Sequence, residues 1–186
     1  MDMASHKIGI ALVGAGRIGC VHYRNILNNR RFGLLYVVRT NFYQLAIFLT
    51  FDLLKVDVLT EKARELADKS GTHTKGTSDL TEALSDQRVR AVLVANPTNY
   101  HVQTILAAVQ VISVESWSVC SEYMKAKKHV LCEKPISLSL KEIDECYAEA
   151  TKNGVRLLCG FQRRHDASFA KLQKAVMDGL IGETQV

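Results

Sequence analysis

Short apolar runs alternate along this chain with longer stretches in which apolar residues recur every three or four positions. Residues 7–13 read K-I-G-I-A-L-V, a near-continuous apolar run that suits a strand buried on both faces. Runs of the same kind stand at 34–38, 91–95, 129–132 and 155–160. Between them the period changes. Ile18, His22 and Ile26 follow the first strand at near-helical spacing. Residues 60–69 place Ala63, Leu66 and Ala67 on one face, with Thr60 to cap the start and Gly71 to end it. A short helix is predicted over 78–84, and another over 99–108 with Val102, Ile105 and Leu106 on one side. Ser139 and Glu142 have the spacing of a capping box, and Leu140, Ile143, Tyr147 and Ala150 continue the helix as far as Gly154. Strands that alternate with helices of this length predict βαβ units in an α/β fold with a mostly parallel sheet.

The first strand runs directly into Gly14-Ala15-Gly16-Arg17-Ile18-Gly19. A G-x-G-x-x-G motif alone is weak, but one that closes a strand and opens a helix is informative. The first glycine allows the tight turn, the second lets a pyrophosphate approach the backbone, and the third lets helix and strand pack closely. The helix N-terminus then offers free N–H groups to the phosphates. The same pattern calls for an acid about 20 residues further on to hold the ribose hydroxyls. Asp57 is the natural candidate, yet it lies 38 residues beyond Gly19. Setting aside the 18 residues 39–56, which contain no glycine or proline, restores a spacing of 20 and a strand reading L-L-Y-V-V-D-V. Residues 109–123 form a second such segment, since Met124 onward would continue the 99–108 helix into the next strand. Both read as insertions into an older pattern. Retained introns, a gene-model error and genuine surface loops are all open as their origin.

Composition changes this picture little. Of 186 residues, 47% are hydrophobic and 23% charged, as in ordinary globular domains. The net charge of +5 is spread along the chain and mixed with acids, so no nucleic-acid partner is expected. The five cysteines are odd in number and show no C-x-x-C pair, which points to a reducing, cytoplasmic setting with no metal site. Residues 1–7 have no apolar signal region, and the longest apolar stretch, 42–54, is shorter than the ~20 residues a membrane helix needs.

With the two segments set aside, the chain resembles the Gfo/Idh/MocA oxidoreductases, most closely their inositol 2-dehydrogenase-like members. The resemblance rests on I-G-I-A-L-V-G-A-G-R-I-G at 8–19, D-V-L-T-E-K-A at 57–63 and V-L-V-A-N-P-T-N-Y-H at 92–101. It continues through H-V-L-C-E-K-P at 129–135, C-G-F-Q-R-R-H-D at 159–166 and G-L-I-G-E-T at 179–184. It implies a Rossmann-type doubly wound parallel sheet over 1–163, and at 164–186 the start of a substrate domain whose α+β open sheet is largely absent. The implied activity is NAD(P)-dependent oxidation of a sugar or polyol hydroxyl to a ketone. By the same resemblance Gly14, Gly16, Arg17, Ile18 and Gly19 line the pyrophosphate, and Asp57 takes the adenosine ribose. An acid there favours NAD over NADP by repelling a 2′-phosphate. Asn96, Pro97, Thr98 and His101 would border the nicotinamide half, with Glu133 and Lys134 beside nicotinamide and substrate. Lys134 is the implied catalytic residue: a partly buried lysine with a lowered pKa can hold or relay the hydroxyl proton and stabilise alkoxide charge. His165 is expected to be a polar strand-end residue, and His22 and His129 to be structural or exposed.

The family completes its proton relay with a D-x-x-x-H pattern in the second half, and none follows the E-K-P turn here. Without both segments 153 residues remain, about half of the usual enzyme. Three readings stay open: a fragment of an inositol 2-dehydrogenase-like enzyme, a non-catalytic dinucleotide-binding module, and an inactive isoform. Fuller relatives are expected to form homo-oligomers.

Overall fold

The computed structural model describes residues 7–39, 57–71, 73–112 and 124–183. Along them run β1 (Ile8–Val13), α1 (Arg17–Leu27), β2 (Phe32–Val38), α2 (Asp57–Lys69), β3 (Lys75–Thr77), α3 (Leu80–Ser85) and β4 (Val89–Val94). There follow α4 (His101–Val109), β5 (Val111–Ile112), β6 (Met124–Lys125), β7 (His129–Glu133), α5 (Leu140–Lys152), β8 (Leu157–Gly160) and α6 (Ala167–Met177). Six strands pair in the order β3-β2-β1-β4-β7-β8, all parallel. The chain winds outward from β1 to β3, then returns to the centre and winds the other way from β4. This reversal is the crevice at which open α/β sheets bind ligands.

The alternation within β1 explains the two layers. Ile10 and Leu12 face one side, in a cluster with Tyr23 and Ile26 of α1 and Ala63 of α2. Ala11 and Val13 face the other, with Ile105 and Ala108 of α4 and Cys146 and Ala150 of α5. Each fully buried aliphatic side chain in these layers stabilises the fold by roughly 1.5–3 kcal/mol. Burial pushes the Cys132 thiol up and that of Cys146 up to about 11, so both stay protonated and pack as small apolar groups.

Several local expectations need correction. The helix expected from Thr60 starts at Asp57, so Asp57 and Val58 open α2 and do not extend β2. The capping box is half made: Ser139 accepts from the Glu142 N–H, but the Glu142 carboxylate accepts from the Ser137 hydroxyl. Of the residues proposed as insertions, 39 and 109–112 are described, and 40–56 and 113–123 lie outside the described residues. Val111–Ile112 pairs antiparallel with Met124–Lys125, and the Lys128 N–H donates to the carbonyl of Ala108 at 2.9 Å. The two ends of the second segment are therefore held side by side.

Candidate active site

The Gly14-to-Gly19 loop sits at the carboxyl end of β1, and its glycines are required for different reasons. Gly14 has φ +111°, and a Cβ there would lie 2.4 Å from the carbonyl oxygen of Ala95. A Cβ on Gly19 would lie 2.0 Å from the carbonyl oxygen of Gly14, so only glycine lets α1 approach the turn. Gly16 is the opposite case, because nothing lies within 4 Å of the Cβ it lacks. It is exposed and faces open space, as a backbone met by a ligand should. Asp79, Ser139 and Asp166 cap α3, α5 and α6 with their side chains. No side chain caps α1, and its first turn carries no acid. Its N–H groups are left for an anion. The loop thus fits a dinucleotide pyrophosphate, with Arg17 and Ile18 exposed on the same turn.

The E-K-P turn follows β7, at the same edge of the sheet. His22 of α1 donates from Nε2 to the Glu133 carboxylate at 2.6 Å, with both side chains mostly buried. His22, expected to be structural or exposed, is therefore the link between the glycine-loop helix and the E-K-P turn. The Lys134–Pro135 peptide is cis. Lys134 itself is exposed, where a partly buried lysine was expected. A cavity of about 580 Å³ opens beside the turn, lined by His22, Glu133, Gly160, Phe161, Arg164 and His165.

The Asn96-Pro97-Thr98 turn leaves β4 nearby, but its side chains do not all face outward. Asn96 donates from Nδ2 to Thr104 Oγ1 at 2.9 Å, so its amide points into α4. His101 is 2% exposed, with Nδ1 2.8 Å from the carbonyl oxygen of Pro135 and Nε2 2.8 Å from that of Asn96. Expected to border a nicotinamide, its ring is engaged by these two carbonyls. It ties the β4 turn to the E-K-P turn from beneath. Asp57 is not at the end of β2 in this chain. Val38 and Arg39 hold that place: Gly14 N–H donates to the carbonyl of Val38 at 2.8 Å, and Arg39 N–H to that of Thr77 at 3.0 Å.

A doubly wound parallel sheet with a glycine-rich loop at its switch point and a lysine turn across the crevice defines a dinucleotide-binding α/β domain. The chain belongs to the Gfo/Idh/MocA oxidoreductases, the oxidoreductase family with an NAD-binding Rossmann fold, whose model matches residues 8–113 and 115–161. It is 36% identical over 177 residues to the myo-inositol 2-dehydrogenase of Thermotoga maritima, covering 95% of this chain and 43% of that protein. Among solved structures it is similar to a probable dehydrogenase from Thermotoga maritima, with TM-score 0.69 and 32% identity over 94% of this chain and 42% of the other. It shares the fold alone with a scyllo-inositol dehydrogenase from Lactobacillus casei bound to NAD(H) and scyllo-inositol, with TM-score 0.72 and 23% identity over 95% of this chain and 43% of that one. The chain thus spans less than half the length of the relatives it matches. No helix among the described residues is long and apolar enough to cross a membrane.

Proposed function

We propose that this chain is the dinucleotide-binding part of an inositol 2-dehydrogenase-like oxidoreductase acting on a polyol or sugar hydroxyl in the cytoplasm. The carrying observation is the meeting of an uncapped helix behind an open Gly16 with the E-K-P turn, through the His22–Glu133 bond. Gly14, Gly16, Arg17, Ile18 and Gly19 hold the pyrophosphate. Glu133 and Lys134 stand at the nicotinamide end, where the dinucleotide accepts hydride when bound. Lys134 would hold the hydroxyl proton drawn from substrate as the carbon is oxidised. That task needs a cover that lowers water access, and such a cover belongs to the second half of a fuller, homo-oligomeric protein. Without it the chain binds nucleotide and does not turn over.

A second reading, a dinucleotide-binding module without chemistry, is favoured by the exposure of Lys134. Calorimetry with NAD separates these readings from failure. The test compares this chain with a version lacking 39–56 and 109–123, which returns Asp57 to the end of β2. Binding by the shortened version is the expected result; binding by neither version overturns the proposal. Joining the shortened version to a second half that carries D-x-x-x-H should give NAD reduction with myo-inositol that is lost in Lys134→Ala. Nucleotide binding without any such reduction would favour the module.

A further inference from the structure

We infer that the amino edge of the sheet, together with the groove beside α1, is a docking surface for an acidic amphipathic helix of a partner protein. Along the sequence the basic residues are scattered among acids, but the parallel sheet gathers them. Lys7 and Arg31 stand directly before β1 and β2, Arg90 is the second residue of β4, Lys127 comes just before β7 and Arg156 directly before β8. Because these strands all run the same way, the cations share one edge, at the opposite end of the sheet from the glycine loop. The surface is therefore independent of the dinucleotide-binding reading. All of these side chains are exposed, and none of them forms an ion pair among the described residues. The neighbouring carboxylates are already engaged, Asp86 by Arg88 and Glu149 by Lys152.

The groove adds an apolar strip to that edge. On one face of the sheet α4 and α5 pack over β4, β7 and β8. On the other face α1 lies against β1 and β2, and α2 against β2 and β3. Beyond α1 the strip is uncovered, with Leu131 only partly buried and Leu158 61% exposed. A cavity of about 420 Å³ lies there, lined by Leu93, Leu131 and Leu158 from three neighbouring strands and by Asn25 of α1. Ile8 and Arg156 also line it, so the groove opens on the basic edge. The Arg156 N–H donates to His129 Nδ1 at 3.1 Å and ties β8 to β7 at that end. A helix of about ten residues matches the length of β7, roughly 15–16 Å. Laid in the groove, such a helix buries leucines on the strip and brings carboxylates to Arg156, Lys127 and Arg31. Nucleic acid fits less well, since Phe32 is the one non-histidine ring in the lining and base stacking needs more. The strip is concave, which suits a helix and not a flat bilayer.

The test is a selection on the immobilised full chain from a displayed library of peptides about 14 residues long, with leucine fixed at i, i+3, i+4 and i+7 and Glu, Gln, Lys or Ser free elsewhere. The enriched peptides should be rich in Glu. By fluorescence anisotropy, Arg31→Glu and Arg156→Glu should each weaken their binding about two- to fivefold at low salt and less at high salt. Leu158→Asp should weaken it about tenfold or more, the loss of one buried leucine. All three side chains are exposed, so each variant should melt like the parent, and Leu158→Ser should act in the same direction if the aspartate disturbs the strand. No enrichment, enrichment without an acidic bias, or parent-like binding by the Leu158 or charge-reversed variants overturns the inference. So does binding of single-stranded DNA or phosphatidylserine vesicles that needs Arg31 and Arg156 but not Leu158. Self-association of the chain alone that Leu158→Asp abolishes would assign the groove to a second copy and overturn it as well.

Discussion

A methyl group placed on Gly16 would stand in free space, while one placed on Gly19 would be driven into the backbone. Gly16 is the N-cap of α1 with φ −78° and ψ −170°, a conformation alanine adopts without strain, and nothing lies within 4 Å of the added Cβ. Gly16→Ala should therefore fold as well as the parent, or gain about 0.4–1 kcal/mol from a less flexible unfolded chain. The Gly19 Cβ would sit 2.0 Å from the carbonyl oxygen of Gly14, so α1 must retreat by ~1 Å to regain even the closest Cβ contacts found in proteins. Overpacking of that kind costs about 1–3 kcal/mol, or roughly 2–12 °C in Tm for a chain of this size. Dinucleotide affinity should respond in both variants, because the Gly16 methyl occupies the approach of the pyrophosphate and the Gly19 methyl moves the helix N-terminus. Differential scanning fluorimetry with calorimetric titration of the preferred dinucleotide measures both quantities. The decisive outcome is Gly16→Ala: unchanged melting with at least tenfold weaker binding is expected. Parent-like binding in that variant would mean that the phosphates do not pass over Gly16, and the fit of the loop to a dinucleotide would be refuted.

Three further outcomes follow from the hydrogen bonds. Asp86 accepts from Arg88 and from Tyr36, and chiefly the Arg88 side chain holds its pKa at about 2, below the ordinary 3.8. Its bonds therefore stabilise the fold fully above about pH 4, and that contribution is lost as pH falls through 2. Asp86→Asn should cost about 1–2 kcal/mol at pH 7, allowing for the exposure of Arg88, and the gap to the parent in urea denaturation should close between pH 4 and 2. His101→Phe should remove the one ring N–H that the neutral imidazole offers between the buried carbonyls of Asn96 and Pro135, a loss of about 1–3 kcal/mol that thermal melting detects. A parent-like Tm would show that His101 does not hold the two turns together. His22→Ala frees Glu133 and, on the reading proposed above that Glu133 stands at the nicotinamide end, should weaken NAD several-fold while leaving 5′-ADP unchanged. Equal weakening of both ligands would place His22 in the adenosine half.

The frame of the fold could be read from sequence because its strands are parallel and central. β1 and β4 are covered by helices on both faces, and such strands must be apolar at nearly every position. β3 offers no such pattern: it has three residues at the sheet edge, of which only Thr77 is buried. α6 did carry a signal, with Asp166 as cap and Phe169, Leu172 and Val176 at helical spacing, although these three side chains stay exposed among the described residues. The glycine loop was legible because each of its positions answers a backbone requirement that few other residues meet. The His22–Glu133 bond was not, since it joins residues 111 positions apart and only the sheet brings them together. Nor does a histidine at a helix start declare whether it faces a ligand or, as His101 does, two carbonyls within the core. The displacement of Asp57 was visible as an anomalous spacing, and Arg39 stands directly after the apolar run 34–38 in the sequence itself.

The small β5–β6 ladder pairs the two flanks of the second segment. The two ends of the segment are held together by one antiparallel pair, Val111–Ile112 with Met124–Lys125. Closing a longer loop across that clasp costs little, about 0.6 kcal/mol for each doubling of length. The clasp is therefore a graft point in entropic terms: a peptide tag or protease site spliced between Ile112 and Met124 lengthens a connection whose two ends are already paired.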